Sequence, residues 1–184
     1  MKIIAPVYTD HLILREYQAT DFTGVHAYAS APETVNFMTW GPNTPEDTHK
    51  FIQLAISHQR ADPRRDFQFI VALQTNNQII GGCGIHIRRP ENRGAEFGYA
   101  FHRDFWGQGY GTEAAAALLK FGFEKLNIHR IAATCDPRNV GSARIMEKND
   151  MRKEAHFRQH LWQRGEWRDS YLYAILSSDT AIKP

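Results

Sequence analysis

Leu12 and Leu14 alternate with polar neighbours across His11–Glu16, and this period of two predicts a strand with one apolar face. Asp21 can start a short helix through about Ser30, and Pro32–Phe37 adds another turn or two. Trp40-Gly41-Pro42-Asn43-Thr44-Pro45 is a turn cluster, after which Thr44 caps a helix with Pro45 first and Glu46 and Asp47 in its opening turn. Phe51, Ile52, Ala55 and Ile56 form that helix's apolar stripe, and Asp62-Pro63 ends it. Phe67–Leu73 and Ile79–Arg88 read as a hairpin around Asn76-Asn77. In the next strand, Ala95–Phe101, Phe97, Tyr99 and Phe101 share one face, and Glu96, Gly98 and Ala100 the other. A helix then runs to about Leu126, with Ala115, Leu118, Leu119, Gly122, Phe123 and Leu126 inward. Arg130–Cys135 is a short apolar strand and Asn139–Asn149 a helix. Lys153–Trp162 and Trp167–Leu176 close the chain as a hairpin across Arg164-Gly165-Glu166. Hairpins followed by helical crossovers predict a mixed α/β sheet.

The 184 residues show no repeat or linker, so one domain over 1–184 is expected. A hydrophobic fraction of 42% and a charged fraction of 23% suit a globular chain, and a net charge of +2 argues against a general nucleic-acid binder. Met1–Pro6 lacks the apolar core of a signal peptide, and no apolar run approaches a membrane span. Cys83 and Cys135 form no disulfide framework and no zinc spacing, so a reducing, cytoplasmic setting is expected. His156 and His160, four residues apart on one strand, lie roughly 13 Å apart, too far to share a metal, and no metal is expected.

Candidate chemistry concentrates at Phe105-Trp106-Gly107-Gln108-Gly109-Tyr110-Gly111-Thr112-Glu113, three alternate glycines opening an alanine-rich helix. Such a turn directs backbone N–H groups and the positive helix end at an anion. It matches neither the dinucleotide pattern nor a Gly-Lys-Ser/Thr phosphate loop. Close packing of helix on strand is the competing reading of these glycines.

Glu96-Phe97-Gly98-Tyr99, then Trp106–Ala114, Asn139-x-x-Ser142 and Glu147-Lys148 follow one another in an order that resembles the GNAT family of acetyl-CoA-dependent N-acetyltransferases. The branch it looks most like is that of the RimJ/RimL-type ribosomal-protein N-terminal acetyltransferases. Leu12-Ile13-Leu14-Arg15 and Gly165-Glu166-Trp167-Arg168-Asp169, followed by Tyr171-Leu172-Tyr173, support it, so the resemblance covers nearly the whole chain. It implies a GNAT-like α/β fold, an α+β-like mixed sheet of about seven strands with flanking helices. The fourth and fifth strands would splay to admit acetyl-CoA. The pyrophosphate would rest on the loop Trp106, Gly107, Gln108, Gly109, Tyr110, Gly111 and Thr112. The pantetheine arm would pair with Gly98, Tyr99, Ala100 and Phe101. Asn139, Ser142 and Lys148 would also hold the donor, with Arg103 and Arg144 as further cations for its 3′-phosphate, although solvated surface charge explains any one of these basic residues equally.

Transfer to an amine requires a neutral nucleophile. A lysine amine titrates near ~10.4 and an α-amine near ~7.7–8.0, so a chain terminus is the easier acceptor at neutral pH. The resemblance implies Glu96 as the base, partly buried and acting directly or through water, against a structural pairing with Arg93. It implies Ser142 as the acid. The tyrosine that many relatives carry seven residues after the asparagine is Met146 here, and a first-turn serine is the competing reading. Asp150 stands where relatives usually have glycine at a helix end, which a short polar side chain tolerates. Trp40 is placed at the acceptor mouth or, equally, in the core. Cys83 or Cys135 as a nucleophile lacks a recognisable Cys–His arrangement.

The expected reaction is direct acetyl transfer to a primary amine, preferably the α-amine of a protein of ribosomal type. A small-molecule amine or lysine side chain is the first alternative, and a weakly catalytic acyl-CoA-binding module the second. Arg152, Lys153, Arg158, Arg164 and Arg168 among the aromatics of the last hairpin allow an RNA-associated reading, against a charged edge that resists aggregation. The expected partners are acetyl-CoA and the amine, with neither membrane nor nucleic acid. A homodimer is left open.

Overall fold

In the computed structural model, which describes residues 4–179, the alternating runs become one eight-stranded sheet. Its elements are β1 (Val7–Tyr8), β2 (Leu12–Glu16), α1 (Phe22–Ala29), α2 (Pro32–Val35), α3 (Pro45–His58), β3 (Asp66–Leu73) and β4 (Ile79–Arg89). There follow β5 (Gly94–Phe101), α4 (Tyr110–Glu124), β6 (Arg130–Cys135), α5 (Val140–Lys148), β7 (Arg152–Gln163) and β8 (Glu166–Leu176). The strand order is β1-β2-β3-β4-β5-β6-β8-β7, antiparallel except for β5 beside β6. About seven strands were expected, and the extra one is β1. Its two residues have no period of their own and become a strand only by pairing Val7 with Leu14 and Tyr8 with Ile13. The first three residues of Met1–Pro6 lie outside the described residues.

Period-two sequences place one core on each face. Phe67, Phe69 and Val71 of β3 pack with Leu118, Leu119 and Phe121 of α4, whereas Ile70 and Ala72 meet Val25, Ile52 and Ala55 of α1 and α3. Full burial of a side chain such as Phe69 contributes about 1.5–3 kcal/mol, so these two layers hold the sheet between its helices.

The local signals act as their chemistry requires. Thr44 Oγ1 accepts from the Asp47 N–H at 3.2 Å while Asp47 accepts from the Thr44 N–H at 3.1 Å, a reciprocal cap for α3. Asp21 precedes α1 but does not cap it. Its carboxylate is instead held by Arg15 at 2.6 and 2.8 Å and accepts from the Gln18 N–H at 2.8 Å, so it serves the turn before α1. Asp150 adopts φ +59 just past α5, in the left-handed region expected of it.

Candidate active site

The sheet opens where the only parallel pair among the described residues parts. β5 and β6 are paired at Gly94–Arg130, Ala95–Ile131 and Glu96–Ala132 and no further. Beyond that point β5 stays with β4 and β6 stays with β8, so the inner edge from Phe97 to Phe101 has lost its neighbouring strand. An unpaired strand edge offers backbone donors and acceptors to an extended ligand. A cavity of about 1240 Å³ occupies this opening.

The glycine loop closes one end of the cavity. Gly107 and Gly109 sit at φ +74 and +90, where a side chain is strained, and a Cβ on either would meet nothing within 4 Å. Gly109 is also the N-cap of α4 and brings no side-chain cap, which leaves that helix end to a ligand. An open cradle at a positive helix end fits a pyrophosphate. Across the cleft Asn139 caps α5, its Oδ1 accepting from the Ser142 N–H at 3.1 Å. The Ser142 hydroxyl is 2.9 Å from the Tyr99 hydroxyl, which bridges α5 to β5. Burial holds the Tyr99 phenol well above its usual titration range, so it remains protonated.

Of the residues expected to hold the donor, Gly98, Tyr99, Ala100, Phe101, Trp106, Gly107, Gly109, Gly111, Thr112, Asn139, Ser142 and Lys148 all face the cavity. Arg144 joins them. Gln108 and Tyr110 do not line it. Gln108 donates to the Asp104 carbonyl at 2.7 Å, and the Tyr110 ring packs against His11 and Phe105. Trp106 donates its indole N–H to the Phe101 carbonyl at 2.8 Å, which joins the loop to the strand. Arg103 turns to Glu33 at 3.4 Å.

Glu96 differs from expectation. Its side chain is 64% exposed rather than partly buried, because on its face the helices α1 and α3 pack over Ala100 and not as far as Glu96. Its ionic neighbour is Arg88 at 3.9 Å, and Arg93 instead holds Asn127. Glu96 lines a second hollow of about 380 Å³, with Trp40 opposite and the β7–β8 hairpin as its far wall. Trp40 faces both hollows and is partly exposed, so it is a mouth residue and not a core anchor.

Several lining residues escaped the sequence reading. Gly82 and Gly84 of β4 lie on the face away from α4, across from Ala100 and Gly98. A Cβ on Gly82 would stand 2.3 Å from the Tyr17 hydroxyl, so only glycine fits there. These small residues floor the cavity on the side away from α4, with Tyr17, Tyr28, Gln68 and His86 as walls. The glycine-rich strand start Gly81-Gly82-Cys83-Gly84 was the available signal.

Arg164 and Arg168 are committed to the fold. Arg164 donates to the carbonyls of Asn36 (2.7 Å), Gly41 (3.0 Å) and Trp40 (3.3 Å), and Arg168 to that of Asn36 at 2.9 Å. They tie the last hairpin to the loop at the mouth, which weakens the RNA-associated reading. His156 and His160 hydrogen-bond Asp169 (2.6 Å) and Ser170 (3.0 Å).

The family described as acetyltransferase (GNAT) domain matches residues 11–152. The N-acetyltransferase YnaD of Bacillus subtilis (strain 168), itself uncharacterized, is 33% identical over 93% of this chain and 96% of its own. The crystal structure of a GNAT-family acetyltransferase from Bacillus anthracis superposes with a TM-score of 0.83 at 33% identity, covering 95% of this chain and 99% of the other. The ribosomal protein uS5-alanine N-acetyltransferase of Escherichia coli (strain K12) is 30% identical over 55% of this chain and 53% of its own. With the splayed strands and the glycine cradle in the places that such an enzyme needs for acetyl-CoA, the chain is an N-acetyltransferase and belongs to the GNAT family.

Proposed function

We propose that this enzyme transfers acetyl directly from acetyl-CoA to the α-amine at a protein N-terminus, a ribosomal protein being the first candidate. The observation that carries the reading is the second hollow, which meets the donor cleft at Phe97 and Gly98 and is bounded by Trp40, Glu96 and the β7–β8 hairpin. A chain end can enter there without displacing the donor. The Escherichia coli relative, named for acetylating an alanine of a ribosomal protein, supports the same acceptor class.

In this reading the backbone of Gly107–Gly111 and Thr112 cradles the pyrophosphate, and β5 from Gly98 to Phe101 pairs with the pantetheine arm. Asn139 shapes the turn into α5, and Arg144 and Lys148 offer positive charge at the cavity wall. The exposed Glu96 carboxylate draws the ammonium to the mouth. Ser142, hydrogen-bonded to the Tyr99 phenol, protonates the departing thiolate.

The test is thiol release from acetyl-CoA with peptides beginning in Ala or Ser, the same peptides with blocked N-termini, and a set of small amines. Turnover only with free N-termini is expected, and Ser142→Ala should lower kcat by about 10²-fold, the lower end of acid catalysis. Turnover with small amines or lysine side chains alone would replace the acceptor. Full turnover in Ser142→Ala would remove that residue from the chemistry.

A further inference from the structure

We infer that His86, oriented by Asp66, is the inner proton acceptor of the reaction. Four observations converge on it. His86 is paired across the strands with Glu96, itself in the last β5–β6 pair, so it stands level with the apex of the splay. It shares the acceptor face with Gly82 and Gly84 and lines the donor cavity, which Glu96 does not. Its Nδ1 is 2.7 Å from Asp66 Oδ1, with both side chains about a quarter exposed. Its Nε2 leans toward Gly84, whose added Cβ would lie 3.4 Å from it. Gly84 is opposite Gly98, where an added Cβ would touch nothing within 4 Å. Among the described residues none hydrogen-bonds Nε2. Nε2 therefore faces the space that two cross-strand glycines keep free.

The chemistry follows from the tautomer. Asp66 accepts from Nδ1–H, which leaves the lone pair on Nε2, and its carboxylate stabilises the imidazolium once that forms. A base held by an orienting carboxylate is the arrangement that general-base catalysis needs. Arg88 lies 3.6 Å from Asp66 and 3.9 Å from Glu96 and holds the two carboxylates on either side of it. In the step, an N–H bond of the acceptor ammonium breaks and its proton passes to Nε2, directly or through one water. The freed lone pair attacks the thioester carbonyl, and as the C–S bond breaks the Ser142 hydroxyl gives its proton to the thiolate, which leaves as the thiol. The nitrogen, cationic after the attack, loses its second N–H proton through water to the Ser142 oxygen, which leaves the neutral amide. The imidazolium returns its proton to solvent. Glu96 then draws the cation to the mouth while His86 deprotonates it inside.

This inference rests on acetylation of an amine at this cleft and not on which amine. The experiment measures kcat and KM for His86→Ala, His86→Gln and Asp66→Asn, using acetyl-CoA with an Ala-initiated peptide and with the small-amine set, alongside thermal melting. Both His86 variants should keep the wild-type melting temperature and acetyl-CoA KM while kcat falls about 10²-fold or more. Imidazole should restore turnover to His86→Ala and not to His86→Gln. Asp66→Asn should lose about 10-fold, as expected of a group acting through the ring. A kcat within about threefold of wild type in His86→Gln, or a loss confined to KM, overturns the inference while leaving the acetyltransferase reading intact, since truncating a true base must slow chemistry. No wild-type turnover on any amine overturns both.

Discussion

Cys83 and Cys135 lie beside the donor cleft, and both thiols are buried. Burial pushes the Cys83 thiol up to about 12. Burial, followed by the charges of Asp136 and Glu147, pushes that of Cys135 up to about 11. A raised thiol pKa favours the neutral form until the pH climbs past it. At pH 8 the thiolate fraction is thus on the order of 10⁻³ for Cys135 and 10⁻⁴ for Cys83. Neither suits a nucleophile, in keeping with direct transfer. A thiol reagent at pH 8 should label both at least about 10-fold more slowly in the native protein than in the unfolded chain. One fast-reacting native thiol would reopen a two-step mechanism.

The donor site is an assembly of element ends: the free edge of β5, the start of α4 and the start of α5. Its cradle depends on backbone conformation, because Gly109 reaches φ +90 only at low cost without a Cβ. Gly109→Ala should cost about 1–2 kcal/mol of backbone strain and raise the acetyl-CoA KM about 10-fold, while the acceptor KM stays near its wild-type value. Steady-state kinetics with each substrate varied in turn checks this. An unchanged donor KM would mean that the loop is a packing device, the competing reading of its glycines. The sequence made this element legible, since alternate glycines before an alanine-rich helix are a local signal. The floor of Gly82, Gly84 and Gly98 was not equally legible. Glycines on neighbouring strands form one surface only after the register pairs Gly84 with Gly98.

Across the whole molecule, the last hairpin is fastened to the loop after α2 by contacts spanning more than a hundred residues of sequence. Arg168 is 8% exposed and pairs with Glu166 at 2.9 Å as well as with the Asn36 carbonyl. Arg138 joins Asp136 (2.7 Å) to Glu166 (3.1 Å), so the network runs from the approach to α5 to the acceptor mouth. Burial raises the Asp136 carboxyl, but hydrogen bonds from Arg138 outweigh it and the net displacement is downward. Arg168→Ala removes a buried guanidinium, leaving Glu166 to Arg138 and the Asn36 carbonyl to Arg164 alone, and should cost about 1–3 kcal/mol in chemical denaturation. The more exposed Arg164→Ala should cost less stability than Arg168→Ala and raise the acceptor KM, with the donor KM unchanged. Equal effects on both substrates would argue against a mouth role for the loop. By itself the sequence determined the order and kind of the elements other than β1, the α3 cap and the glycine-rich opening of α4, because each depends on period, capping or backbone freedom within a few residues. Tertiary structure alone decided the two-residue β1, the exposure of Glu96, the fastening of Arg164 and Arg168, and the meeting of His86 with Asp66. Those depend on strand register and on how far along the sheet the helices reach, and neither is written in any local stretch of the chain.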